Sequence, residues 1–243
     1  MVVQLHKAKT SLLLISFLLI QTGCATFTDS LHNTNKQTNR LQLRSIDQQT
    51  KAEACRLTAV ELASHAKDEH AIAQFEQARK LDPDMEGIAY PLAVLYDRQG
   101  RIDAAQREYE QALLELPKNA DLRNDFGYFF YSRQMYADAQ KQLEQALKLN
   151  KNHPKARLNL AMTLASEQQF EQALKQFELA LGPAAAHHNI GLILFKAGRK
   201  DEALNHLQKA AQIDPSLDSQ TLLSTLYENT AGRSVIIPAS YTE

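Results

Sequence analysis

A spacing of small, large and small residues recurs along this chain with a period of 34. Ala71, Phe75 and Ala78 make the first copy, and Ala105, Tyr109 and Ala112 the second. Ala139, Leu143 and Ala146 follow, then Ala173, Phe177 and Ala180, with 34 residues between successive leading alanines. A fifth copy, Ala203, Leu207 and Ala210, arrives after only 30. Small residues at i and i+7 around a large one at i+4 share one face of a 3.6-residue helix. Pro83, Pro117 and Pro215, which close three of the copies, cannot continue that helix. A chain of this kind must fold as a stack of similar supersecondary units, each contacting its neighbours, and needs no single large core.

A second set of positions precedes each copy. Ala89, Leu92, Ala93 and Tyr96 are matched by Arg123, Phe126, Gly127 and Phe130, then by Arg157, Leu160, Ala161 and Leu164. His187, Ile190, Gly191 and Leu194 complete the series. Gly or Ala in the third slot lets the backbone of a paired helix approach closely. Gly100 and Gly198 stand between the two halves, where a left-handed residue ends a first helix. Taken together, these positions resemble the tetratricopeptide repeat (TPR), a helix-turn-helix unit of 34 residues. The resemblance implies an all-α TPR α-solenoid of about five helix-turn-helix repeats plus a C-terminal capping helix. The first repeat is the most degenerate, with a helix from about Ala52 carrying Cys55, Thr58, Ala59 and Leu62 in its slots. The shortened fourth step falls where Gly182-Pro183 ends one helix and Ala184-Ala185-Ala186 begins the next. Ser216 to Tyr227, with Leu217, Leu222, Leu223 and Leu226, reads as the capping helix.

The N-terminus carries a different pattern. His6, Lys7 and Lys9 precede the apolar run Leu12 to Ile20, which is too short to span a bilayer, and Gln21-Thr22-Gly23-Cys24 follow. Residues 1–24 therefore read as a secretory signal. Gly before Cys24 resembles a bacterial lipobox, although Gln21 stands where that motif usually has Leu; the resemblance implies lipidation of Cys24. Cleavage after Ala25, with Cys24 discarded, is the alternative. Ala25, in place of Asp, implies by the same resemblance an outer membrane lipoprotein with its repeats facing the periplasm. Residues 25–50, rich in Thr, Asn and Gln, offer little apolar surface to bury and read as a flexible tether. The repeat domain then occupies 51–230, and 231–243 reads as a loose C-terminal tail.

Little in the chain suggests chemistry. Lys and Arg number 27 against 28 Asp and Glu, a net charge of −1 that gives no basic surplus for nucleic acid. Beyond Cys24 the one cysteine is Cys55, in a helix slot that suits a small buried hydrophobe. His187 and His188 are adjacent, and neighbours on a helix do not face a common metal. No Gly-rich phosphate loop, His-Glu-x-x-His or nucleophile elbow occurs. The reading is of a binding protein with no enzyme activity, no cofactor and no metal.

One residue along from the core slots lie three columns at repeat spacing. They are Tyr90, Asn124, Leu158 and His188; Val94, Tyr128, Met162 and Leu192; and Asp97, Tyr131, Ala165 and Phe195. In proteins with this repeat such a stripe faces the inner side of the stack. The candidate partner-binding groove is therefore Tyr90, Val94, Asn124, Tyr128, Tyr131, Leu158, Met162, His188 and Phe195, an apolar and aromatic surface for a protein or peptide. The alternative is that the stripe packs under another segment of the chain. Val60 and Val94 stand where carboxylate-clamping TPR domains carry asparagine, so that subtype is not expected. Lipobox, tether and about five repeats resemble the TPR lipoprotein of the tight adherence (Tad) pilus secretion system. That resemblance implies a secretin or pilus assembly component as partner and a lipid anchor to the membrane. A type IV pilus pilotin, an adaptor for periplasmic cell-wall enzymes and a soluble periplasmic chaperone share the same plan.

Overall fold

In a computed structural model, residues 25–216 and Leu223 are described. The signal and lipobox (1–24), the tail (231–243) and, Leu223 apart, the part of the capping helix after Ser216 lie outside the described residues. Ten helices make up the described fold, in two compact units divided after Met85. The first unit holds α1 (Ala25–Ser64) and α2 (Asp68–Leu81), packed on each other. The second holds α3 (Ala89–Arg98), α4 (Ile102–Glu115), α5 (Ala120–Tyr131), α6 (Tyr136–Leu149), α7 (Pro154–Ser166), α8 (Phe170–Leu181), α9 (Pro183–Lys196) and α10 (Lys200–Ile213). The expected all-α array of paired helices is what forms, with each odd-numbered helix packed on the even-numbered one that follows.

The spacing that marked the repeats also marks their core. Ala71, Phe75, Ala78, Ala105, Tyr109, Ala112, Ala139, Leu143, Ala146, Ala173, Phe177, Ala203, Leu207 and Ala210 are all buried, and Ala180 alone is only half-buried. On the partner helices, the second to fourth slots of every pair in the second unit are buried, Leu92 to Leu194. The first slot behaves differently. Arg123 and Arg157 are half-buried and donate to Gln142 and Gln176, each 19 residues on, at 3.0 and 3.1 Å. Cys55 falls in this slot and is half-buried, not the fully buried residue expected, and Thr58 beside it is exposed. In these pairs the first slot lies at the rim and takes side chains with a polar end, whereas Ala89, the first-slot residue of α3, is buried.

Gly127 and Gly191 explain how tightly the pairs cross. A Cβ added at Gly127 would lie 2.6 Å from Leu143 Cγ, and one at Gly191 would lie 2.7 Å from Leu207 Cγ. Sixteen residues separate the small slot from the large slot in every repeat, as Ala59/Phe75, Ala93/Tyr109, Gly127/Leu143, Ala161/Phe177 and Gly191/Leu207. Alanine always accompanies a ring and glycine always accompanies leucine. A flat ring leaves room for a methyl group alongside it, whereas the branched Cγ of leucine fills that space close to its own backbone.

The turn within each pair needs a left-handed residue. Ala66, Gly100, Gln134, Gln168 and Gly198 have φ of 55, 70, 61, 61 and 77°. The residue after each sends its N–H back to the carbonyl five before it: Lys67 to Leu62, Arg101 to Tyr96, Met135 to Phe130, Gln169 to Leu164 and Arg199 to Leu194. This is the Schellman closure of a helix C-terminus. At three of the five turns a side chain bears the cost of that conformation. Gln134→Gly should therefore raise stability by about 0.5–1 kcal/mol in chemical denaturation. An unchanged or lowered midpoint would show that the Gln134 side chain compensates elsewhere.

Residues 25–50, read from the sequence as a flexible tether, belong to α1, which runs unbroken from Ala25 to Ser64. No glycine or proline interrupts it, and many of its residues are good helix formers. Packing of its C-terminal part, where Ala52 and Ala59 are fully buried, supplies the nucleus from which the rest extends at small cost. Residues 44–50 are all exposed. As a helix, 25–50 spans roughly 40 Å.

Candidate functional site

The site is built from three neighbouring odd-numbered helices. Among the described residues, α3, α5 and α7 enclose an open cavity of about 310 Å³ lined by Val94, Asp97, Asn124, Asp125, Tyr128, Lys155, Leu158 and Asn159, with Tyr109 of α4 beneath. Asn119 starts α5 by accepting from the Leu122 N–H at 3.0 Å. One repeat on, buried His153 starts α7: its Nδ1 accepts from the Ala156 N–H at 3.1 Å, leaving Nε2 to meet Asp121 at 3.0 Å. These caps fix where each helix begins, and so set the register of the lining residues between helices.

Beneath the cavity lies an aromatic core. Tyr109 stacks on Phe126 with centroids 4.9 Å apart, and Phe130 lies 4.4 Å from Phe126 on its other contact. Phe129 completes the group and carries the Arg133 guanidinium over its ring at 3.8 Å. Arg133 is held there by Asp97, whose Oδ1 accepts from Nη2 at 2.5 Å. Above the core runs a polar chain. The Tyr90 hydroxyl donates to Asp125 Oδ2 at 2.6 Å, Asn124 Nδ2 donates to Asp125 Oδ1 at 3.0 Å, and Asn159 Nδ2 donates to Asn124 Oδ1 at 2.9 Å. Burial, then the Asp125 carboxylate, pushes the Tyr90 phenol far above its ordinary range. Burial, then Asp97 and Asp125, does the same to Tyr109, partly offset by Arg133. Both phenols stay protonated.

Of the residues expected to form a groove, the cavity gathers Val94, Asn124, Tyr128 and Leu158. Tyr128 is the most open of these, 49% exposed. Asn124 is buried, since its amide is used between the helices. Tyr90 acts through its bond to Asp125. Tyr131 stands beside Tyr128, with ring centroids 6.1 Å apart, just outside the cavity. Met162 and His188 are half-buried, and neither lines the cavity. Phe195 was expected to be a groove residue; it packs with Leu192, Leu204 and Leu223 against buried Leu207, and so belongs to a hydrophobic cluster at the C-terminal end of the array.

Five lining residues were not among those expected. Asp97 lay in a recognised column, while Asp125 and Asn159 form the next column along, again 34 apart. Tyr109 gave a signal that could have been read: the equivalent slot holds Phe or Leu in the other four repeats. A buried tyrosine needs somewhere polar for its hydroxyl. Lys155 had no such signal.

His187 meets His206, not His188. Their Nδ1 atoms are 2.9 Å apart, in the place of the Arg123–Gln142 and Arg157–Gln176 links. Burial first, then Lys209 for His187, and His187 followed by Lys209 for His206, push both rings below the ordinary imidazole range; Glu178 opposes this at His187, and Glu171 and Glu202 at His206, more weakly. A base whose folded pKa is depressed takes up protons more readily unfolded. Its contribution is therefore complete above the ordinary imidazole range and is lost as pH falls through that range towards the folded values. The melting temperature should drop between about pH 7.5 and 5. His187→Arg with His206→Gln, copying the neighbouring links, should flatten that dependence. A wild-type profile no steeper than that of the double variant would contradict it.

Comparison with known proteins agrees with this architecture. One model described as a tetratricopeptide repeat matches residues 69–124 and 130–189, and another of the same description matches 184–217. A search of curated proteins returns no match. Among solved structures, the chain is similar to YrrB, described as a TPR protein with an unusual peptide-binding site, at 26% identity and TM-score 0.57, over 70% of this chain and 90% of that one. It is similar to AMB-1 MamA at 24% identity and TM-score 0.57, over 72% and 97% of the two chains. It is similar to pilF of Pseudomonas aeruginosa at 21% identity and TM-score 0.54, over 76% and 86%. The last two likenesses show the fold alone. Among the described residues, no helix is long and apolar enough to cross a membrane, and no group of three or more His, Cys, Asp or Glu could hold a metal ion.

Proposed function

Because the chain is a tetratricopeptide-repeat protein, we propose that it is a scaffold that captures a protein partner in the α3–α5–α7 cavity while anchored to the outer membrane through a lipid on Cys24, and that it assists assembly of a Tad-type pilus or secretion apparatus. The observation that carries the capture reading is the open cavity itself, which places the exposed ring of Tyr128 and the side chain of Leu158 over a rigid aromatic floor. Rigid aromatic anchors in a preformed hollow are what peptide recognition requires. The likeness to YrrB, whose description names a peptide-binding site, supports the same reading. The anchor reading rests on Gly23-Cys24 after the apolar run, and α1 would act as a rigid spacer between the lipid and the repeats.

The experiment is a strain with Cys24→Ser as its only copy. It should incorporate no labelled palmitate, leave the outer membrane fraction and lose surface pili, because the acyl chains supply the membrane affinity. Normal fractionation would end the anchor reading. Loss of the lipid with full piliation would end the pilus reading and leave the cell-wall adaptor as the better account.

A further inference from the structure

The cavity has a chemistry more specific than an apolar groove. Its lining carries two carboxylates, Asp97 and Asp125, and one ammonium, Lys155, and of the two carboxylates Asp97 is already paired with the Arg133 guanidinium. A carboxylate offers roughly four acceptor sites. Arg133 takes one on Asp97, and Tyr90 and Asn124 take two on Asp125, so acceptor capacity remains on both. Tyr109 lines the same hollow, and its phenol feels the two carboxylates more strongly than Arg133. Tyr128 forms an aromatic lip, half exposed and flanked by Tyr131. A carboxylate brought into this hollow would face Asp125, whose hydrogen-bond partners are both neutral, and an apolar side chain would leave the remaining acceptors without donors. A planar cation satisfies both parts, forking to carboxylates at one edge and stacking on a ring with its face.

We infer that this cavity is a cation-recognition site that takes an arginine side chain, and less well a lysine, from an extended segment of the partner protein. The inference rests on the proposed capture role and specifies which partners qualify. Lys155 is exposed and lines the cavity, so it opposes the incoming cation and tunes its affinity. The two kinds of lining charge must then act with opposite sign.

The test uses the described repeats in the full chain and an array of decapeptides with randomised flanks and a fixed central Arg, Lys, Gln or Glu. Wild type should retain the Arg set best, exceeding the Gln set by roughly tenfold, with Lys between them and Glu lowest. Asp97→Asn should lower Arg retention. Its loss of the Arg133 contact is controlled by Lys155→Ala, an exposed change that should leave melting untouched and raise Arg retention several-fold. Equal retention of the Arg and Glu sets, or no response to Lys155→Ala, would overturn the cation site and leave the capture role standing. Retention of no set at all would overturn both.

Discussion

Gly127→Leu should unfold the centre of the array. A single methyl group at this position already comes within 2.6 Å of Leu143 Cγ and 2.9 Å of its Cδ2, with the Ala139 carbonyl at 3.4 Å behind. These atoms are the branch of a buried leucine and a helix backbone, neither of which can move aside without disturbing α6. Overpacking of this kind costs about 1–3 kcal/mol, and leucine lies at the upper end. Stability in a repeat array depends on contacts between neighbours, so the loss should spread to α3–α4 and α7–α8. The pairing of glycine with leucine and alanine with a ring makes a sharper claim. Gly127→Ala alone should lower the melting temperature, and Leu143→Phe added to it should restore part of the loss, reproducing Ala93/Tyr109 and Ala161/Phe177. A double variant no better than the sum of its parts would break the size rule derived from the five repeats.

Tyr128→Ala combined with Leu158→Ala should abolish partner capture while leaving the fold nearly intact. Both side chains line the cavity, neither is fully buried, and an aromatic anchor commonly carries about 2 kcal/mol or more of an interface. Two residues before Tyr128, the outcome should reverse. Phe126 is buried between Tyr109 and Phe130, and Phe126→Ala opens a void in that cluster costing about 3–5 kcal/mol. The groove variant should therefore fail only in the pull-down, whereas Phe126→Ala should already fail in circular dichroism. A groove variant that melts like Phe126→Ala would mean that Tyr128 and Leu158 are structural.

Helix pairing was legible in the sequence because burial at a helix crossing follows 3.6-residue periodicity, which alanines and prolines mark without any knowledge of partners. Ala71 to Ala210 show this directly. The cavity was half legible. Val94, Tyr128 and Leu158 follow from offsets within one helix, but Phe195 does not: its column reaches the end of the array, where the Leu207 cluster takes it up. Asp125 and Asn159 depend on a hydrogen-bond chain that crosses three helices, and spacing alone does not reveal which polar groups bond to one another. Residues 25–50 read as a flexible tether because of their polarity. Polarity excludes a packed core but not a solvated helix continued from a packed one.

The account turns on one claim, that the partner sits in the α3–α5–α7 cavity. A photo-crosslinking amino acid at position 128, compared with one at Leu114, which is 77% exposed on α4 and outside the cavity, measures this in intact cells. The account predicts a discrete adduct from position 128, lost when Leu158→Ala is added, and none from position 114. An adduct from position 114 with none from position 128 would contradict it and move the working surface to the exposed face of α4.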